Sequence, residues 1–126
     1  MTLRQAQSQP IDRPMKSNEI ALIEWLLASA RTTQKSVLTD WSRYRVVGGC
    51  DCGCGSLDVS VSGIDLSEAT HGVIAEAWGT SPEGANLIVG LHAALLGETF
   101  IVTELEIMPV DGQKHYSLPV PENLSP

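Results

Sequence analysis

A two-residue hydrophobic period over residues 56–62, with three further strand-like segments following up to residue 108, narrows the fold more than any other feature of the chain. Residues 56–62 alternate strictly, with Leu57, Val59 and Val61 set against Asp58 and Ser60. That is the pattern of a strand with one face in a core and the other in water. Three further strand candidates follow at 72–78, 85–95 and 98–108, separated by Thr80-Ser81-Pro82-Glu83-Gly84 and by Gly97. Connections this short favour antiparallel hairpins. The apolar run 87–91, resuming after His92 through 93–96, marks a central strand, with a short buried helix as the alternative that periodicity leaves open.

The region before these strands reads differently. Ser17 or Asn18 can cap a helix whose first turn holds Glu19 beside the positive end of the helix dipole. Ile20, Ile23, Leu27 and Ala30 then recur on one side, with Leu26 widening the stripe, so the spacing predicts a helix over 17–30. Thr32 or Thr33 starts a second, shorter helix in which Val37, Leu38 and Trp41 share a face, ending near residues 40–42. Residues 1–16 are polar and Pro-containing, with Leu3 and Ile11 the large apolar groups among the first 14, and read as a mobile N-terminal tail. Residues 17–112 form a single domain, and 113–126, with Pro119, Pro121 and Pro126, an extended tail in which ladder bonding is excluded. The expected fold class is α+β, with two N-terminal helices packed on one face of an about five-stranded, mostly antiparallel sheet.

With 126 residues and 43% hydrophobic side chains, one core forms without disulfides or a structural metal. The stretch 20–30 contains Glu24 and is about half the length needed to span a bilayer, which argues against a membrane span or a signal peptide and makes the cytoplasm the default compartment. Charge is divided unevenly. Residues 1–45 carry seven basic and four acidic groups, whereas 46–126 carry Lys114 alone against eleven acids, a net of −10 within a total of −7. A surface of this sign repels phosphate and attracts basic partners, so nucleic acid is not expected to bind the C-terminal two-thirds. Acidity that serves solubility alone is the plainer alternative.

One segment is unusual in composition: Gly48-Gly49-Cys50-Asp51-Cys52-Gly53-Cys54-Gly55. In a regular strand the three thiols share a face with neighbours about 6.6 Å apart, whereas thiolates sharing a zinc each lie ~2.3 Å from it. A common metal therefore requires a bend, which the glycines permit. A fourth ligand must come from His71, His92, His115 or Asp51. Three readings compete. The leading one is that Cys50, Cys52 and Cys54 are small buried residues in a bulged turn. Zinc or a similar ion is the second, and a redox thiol or transient disulfide the third. An odd count argues against a disulfide framework, and no cofactor is expected on the leading reading.

His71 stands before a strand and His92 within the most apolar one, without a close His-x-x-x-His pairing; packing or surface roles are the simpler reading. A Cys-His nucleophilic pair is a weaker alternative. Glu104 and Glu106 share a strand face, so mutual repulsion can raise one pKa as in a general-acid pair. A solvated outer face is the stronger reading, because Leu105 and Ile107 supply the buried alternation. With Asp58 and Glu76 these carboxylates make a candidate acidic interaction face. Gly-x-Ser-x-Gly, phosphate-loop and dinucleotide patterns are missing from the sequence, and enzyme status has little support.

The Cys50-Asp51-Cys52-Gly53-Cys54 turn, the Glu104-Leu105-Glu106 strand and the Leu118-Pro119-Val120-Pro121-Glu122 tail together resemble small bacterial proteins that share these three motifs behind a helix rich in Ile, Leu and Trp. The resemblance spans about residues 17–126, implies an α+β fold, and carries no activity or site residue with it. The expected function is that of a small acidic cytoplasmic interaction domain, of immunity or accessory type, that binds a basic protein partner. The alternative is a metal or thiol redox module built on Cys50, Cys52 and Cys54.

Overall fold

In the computed structural model, residues 8–30, 36–50, 56–111 and 117–126 are described. They form one helix, α1 (Ser17–Ser29), and eight strands: β1 (Ser8–Pro14), β2 (Ser36–Val37), β3 (Tyr44–Cys50), β4 (Leu57–Val61), β5 (Thr70–Thr80), β6 (Asn86–Leu96), β7 (Thr99–Pro109) and β8 (Leu124–Ser125). All lie in one sheet of order β1-β3-β4-β7-β6-β5-β8, with β2 added to β7. Neighbours are antiparallel except β2, which runs parallel to β7 through Ser36 opposite Thr99 and Val37 opposite Phe100. The protein is therefore mostly β. The expectation of two helices on a five-stranded sheet is wrong in both counts.

The second helix fails for a physical reason. Val37, Leu38 and Trp41 have helical spacing but are too few to outweigh a competing strand edge. Ser36–Val37 pairs with β7, the Leu38 N–H donates to the Phe100 carbonyl at 2.9 Å, and Trp41–Arg43 closes a 3-10 turn. Thr32 and Thr33 lie outside the described residues. Tyr44 then locks this corner: its hydroxyl donates to the Leu38 carbonyl (2.8 Å) and accepts the Val102 N–H (3.1 Å), and its ring packs against Trp41 at 5.2 Å. Burial pushes the Tyr44 phenol up from its ordinary pKa, against the opposing pull of the Val102 N–H and Arg43.

The tails are also more ordered than their composition suggests. Ser8–Pro14 pairs with β3 as an edge strand, where Pro10 and Pro14 are tolerated because one edge needs no ladder donors. At the other end Leu124 and Ser125 pair with Gly79 and Trp78 of β5. Gly79 makes this possible, since a Cβ there would lie 2.0 Å from the Asn123 carbonyl oxygen. Ser117 secures the approach to this segment, its N–H and hydroxyl donating to the Glu83 carboxylate at 2.8 and 2.6 Å, which holds that exposed carboxyl below its usual range.

The core lies between α1 and one face of the sheet. Val46, Leu57, Val59, Ala77, Leu87, Val89, Leu91, Leu105 and Ile107 point inward and are buried with Leu22, Ile23 and Leu26 of the helix. The helix buries the face 19/22/23/26, rotated from the expected 20/23/27/30 stripe; Ile20, Leu27 and Ala30 are half-buried. Rotation follows from its anchor. Lys16, not Ser17 or Asn18, is the N-cap, and its N–H donates to Glu19 Oε1 at 2.7 Å. Glu19 is itself buried, and Arg13 at the end of β1 grips both carboxylate oxygens at 3.0 and 2.8 Å.

This pair makes stability depend on pH. Burial alone pushes the Glu19 carboxyl up, but the Arg13 hydrogen bonds, the Lys16 N–H and both nearby positive charges outweigh it and hold the group below the usual carboxylate range. Folded Glu19 thus binds its proton less tightly than the unfolded chain. Its stabilisation is complete above the unfolded carboxylate pKa and is lost as pH falls through the folded value. Glu19→Gln is expected to cost about 2 kcal/mol at neutral pH, less than a fully buried pair because Arg13 is partly exposed, with the deficit shrinking in acid. Denaturant unfolding of both proteins across pH measures this, and a pH-independent deficit contradicts it. The helix orientation is tested separately: Leu22→Ala should cost about 2–5 kcal/mol and Leu27→Ala distinctly less, whereas equal losses would place the buried stripe where the sequence spacing put it.

Candidate functional site

Strand alternation that buries Leu105 and Ile107 turns the residues between them to the opposite face of the sheet. Register then assembles that face from four strands. In one row Asp58 of β4 stands opposite Glu104 of β7, which stands opposite His92 of β6, and His92 opposite Val73 of β5. In the next row Glu106 of β7 and Glu76 of β5 flank Gly90 of β6. Beyond it Met108, Ile88 and Trp78 form a third row across β7, β6 and β5. Acidic rows thus adjoin an apolar one.

Two glycines shape this surface. Gly48 of β3 stands opposite Asp58, and a Cβ there would come within 3.0 Å of Asp58 Oδ2. Gly90 leaves open the ground between Glu76 and Glu106, and the His92 ring leans across it, its Nε2 lying 3.9 Å from where a Gly90 Cβ would be. His92 consequently reaches Glu106 and not merely its direct neighbour Glu104: Nε2 lies 2.9 Å from Glu106 Oε1. Both side chains are about one-third exposed (28% and 33%). One ligand atom from each of His92, Glu104 and Glu106 falls within 4.8 Å of the others. Such a set can share a proton, grip a cationic group, or hold a metal ion.

The register that brings these three together includes a bulge. From the Gly97-Glu98 turn, with Gly97 at φ +64°, pairing proceeds from Leu96 opposite Thr99 to Ala93 opposite Val102, then shifts so that His92 meets Glu104. Counted without the shift, His92 would face Thr103. An extra residue in one strand displaces every later pairing by one, and that displacement puts the carboxylate in place.

The remaining candidates are distributed elsewhere. His71 is exposed near the start of β5, opposite Ala94, and does not join His92 and the two glutamates. Cys50 ends β3 with its backbone opposite Ser8, while Asp51, Cys52, Cys54 and His115 lie outside the described residues. Ser56, the first described residue after this segment, is buried: its hydroxyl accepts the Ile107 N–H at 2.8 Å and donates to the Ile107 carbonyl at 3.2 Å, doing for β7 what a strand backbone would. Sequence reasoning had Asp58, Glu76, Glu104 and Glu106 as an acidic face and His92 in a separate set; the structure sets all five on one surface. It missed the neighbouring apolar residues, of which Trp78 is 58% exposed. The signal for Trp78 was its place two residues after Glu76 in an alternating strand.

Comparison with protein-family models, curated proteins and solved structures finds no match to this chain. Among the described residues no helix is long and apolar enough to cross a membrane. The His92–Glu106 contact is tested by a double-mutant cycle with His92→Ala and Glu106→Ala. A coupling energy of about 0.5–1 kcal/mol is expected for a part-exposed hydrogen-bonded pair, and additive losses would show that the two side chains do not interact in solution.

Proposed function

We propose that this protein is an acidic interaction domain of accessory or immunity type, and that the outer face of β4-β7-β6-β5 receives a basic protein partner. The observation that carries the reading is the adjacency of Asp58, Glu104, Glu106 and Glu76 to a row of exposed Trp78 and Met108 with half-buried Ile88 between them on one continuous face. Each half has a distinct use. Carboxylates on a chain of net charge −7 draw and orient a positive surface, raising the encounter rate. A large exposed indole supplies what charge alone does not, a desolvated anchor, because tryptophan is enriched among the residues that dominate binding energy. Beside it a cleft lined by Trp78, Gly79, Asn86, Leu87, Ile88 and Val110 offers a place for an apolar side chain flanked by lysine or arginine.

β5 borders this face, and among the described residues β8 pairs with it at Trp78 and Gly79; the proposed docking uses side-chain complementarity across the face and not strand addition at that border. The partner should be captured on the intact protein from extracts of the source cell, purified, and titrated by calorimetry against wild-type, Glu76→Lys and Trp78→Ala proteins. A basic partner is expected, with Glu76→Lys weakening binding about tenfold or more, more steeply at low salt, and Trp78→Ala costing about 2 kcal/mol or more. An acidic partner, or a basic one bound equally by both variants, contradicts the reading.

A further inference from the structure

We infer that His92, Glu104 and Glu106 form a binding site for a divalent transition-metal ion of the zinc type, independent of the docking role proposed for the surrounding face. The inference rests on convergence across two strands. Glu104 and Glu106 come from one side of β7, and His92 comes from β6 and is tipped over Gly90, so that an imidazole nitrogen and two carboxylate oxygens lie within 4.8 Å of one another. Ligands about 2.0–2.2 Å from a shared zinc lie at most about 4.4 Å apart, so a small side-chain rotation suffices to bring the three donors onto one ion. Two of the three are already at 2.9 Å. The ion would take the place of the direct hydrogen bond between them.

Chemistry of the donors selects the ion. An imidazole nitrogen favours zinc and its neighbours in the first transition series over magnesium and calcium, which prefer all-oxygen shells. Three protein donors leave a coordination position open to water or to a ligand group from outside. The surroundings add to the attraction: Asp58 stands opposite Glu104, and Glu76 faces Glu106 across Gly90, so negative potential is concentrated around the three donors. The strands also hold the ligands. Their backbone positions are set by the β6–β7 ladder, so the ion need only reorganise side chains.

The cysteine thiols could also take up zinc, so the readout must belong to His92, Glu104 and Glu106. The full-length protein should be titrated with Zn2+ alone while the imidazole resonances of His92, assigned with His92→Ala, are followed by NMR. The inference expects these resonances to shift and to saturate with occupancy of one site, while Mg2+ and Ca2+ leave them in place. Glu106→Gln and Glu104→Gln, each nearly isosteric on a half-exposed face, should weaken the His92 response about tenfold or more. Thermal unfolding confirms that each variant is folded, and either one suffices if the other is not. His92 resonances that ignore zinc, or that titrate alike in wild type and in a folded glutamine variant, would overturn the assignment. Partner binding left unchanged by Glu76→Lys and Trp78→Ala, with an intact His92 response, would instead count against the docking role alone.

Discussion

The antiparallel register between β6 and β7 is the pairing on which the two faces of this sheet depend. A strand's side chains alternate, so a slip of one residue would carry Leu91, Leu105 and Ile107 toward water and His92, Glu104 and Glu106 toward the core. The apolar face resists that slip, because these core residues are almost wholly excluded from solvent. The outer surface is thus arranged by burial on the opposite side. Nothing in the charged residues themselves needs to hold them in place.

Around that pairing the rest of the chain closes edges. β7 has β6 on one side, and its other edge is shared by β2 near Thr99, the Ser56 hydroxyl at Ile107, and β4 between them. β1 extends the sheet beyond β3 and at its end supplies Arg13, which grips Glu19 at the start of α1. The same short strand therefore fixes both a sheet edge and the angle of the helix. At the opposite edge β8 covers Trp78 and Gly79 of β5, leaving the indole on the outer face beside Met108 and Ile88.

Much of the sheet was legible because period-two patterns are local: β4, β5, β6 and β7 lie within a few residues of where alternation and turn chemistry put them, and α1 within one. What escaped the sequence is non-local. β1 and β8 form because an edge can be paired by backbone alone, which composition does not record. Val37 and Leu38 satisfied a helical spacing that a strand edge on β7 then overrode. The helix face was misjudged by one residue because a buried glutamate, matched by Arg13 from another element, belongs to it. Of the outer face, the carboxylates were visible as outward positions of their strands. The link from His92 to Glu104 and Glu106 was not, since it needs the bulge at Thr103 and the bare surface of Gly90.

The most direct test of this account is the register itself, read from cross-strand proton contacts by NMR. Backbone protons of His92 should lie against those of Glu104, and those of Gly90 against Glu106, with Leu91 opposite Leu105 between them. Contacts of His92 with Thr103 or Leu105 in place of Glu104 would mean a different register, and the shared face of His92 and the carboxylates would not exist.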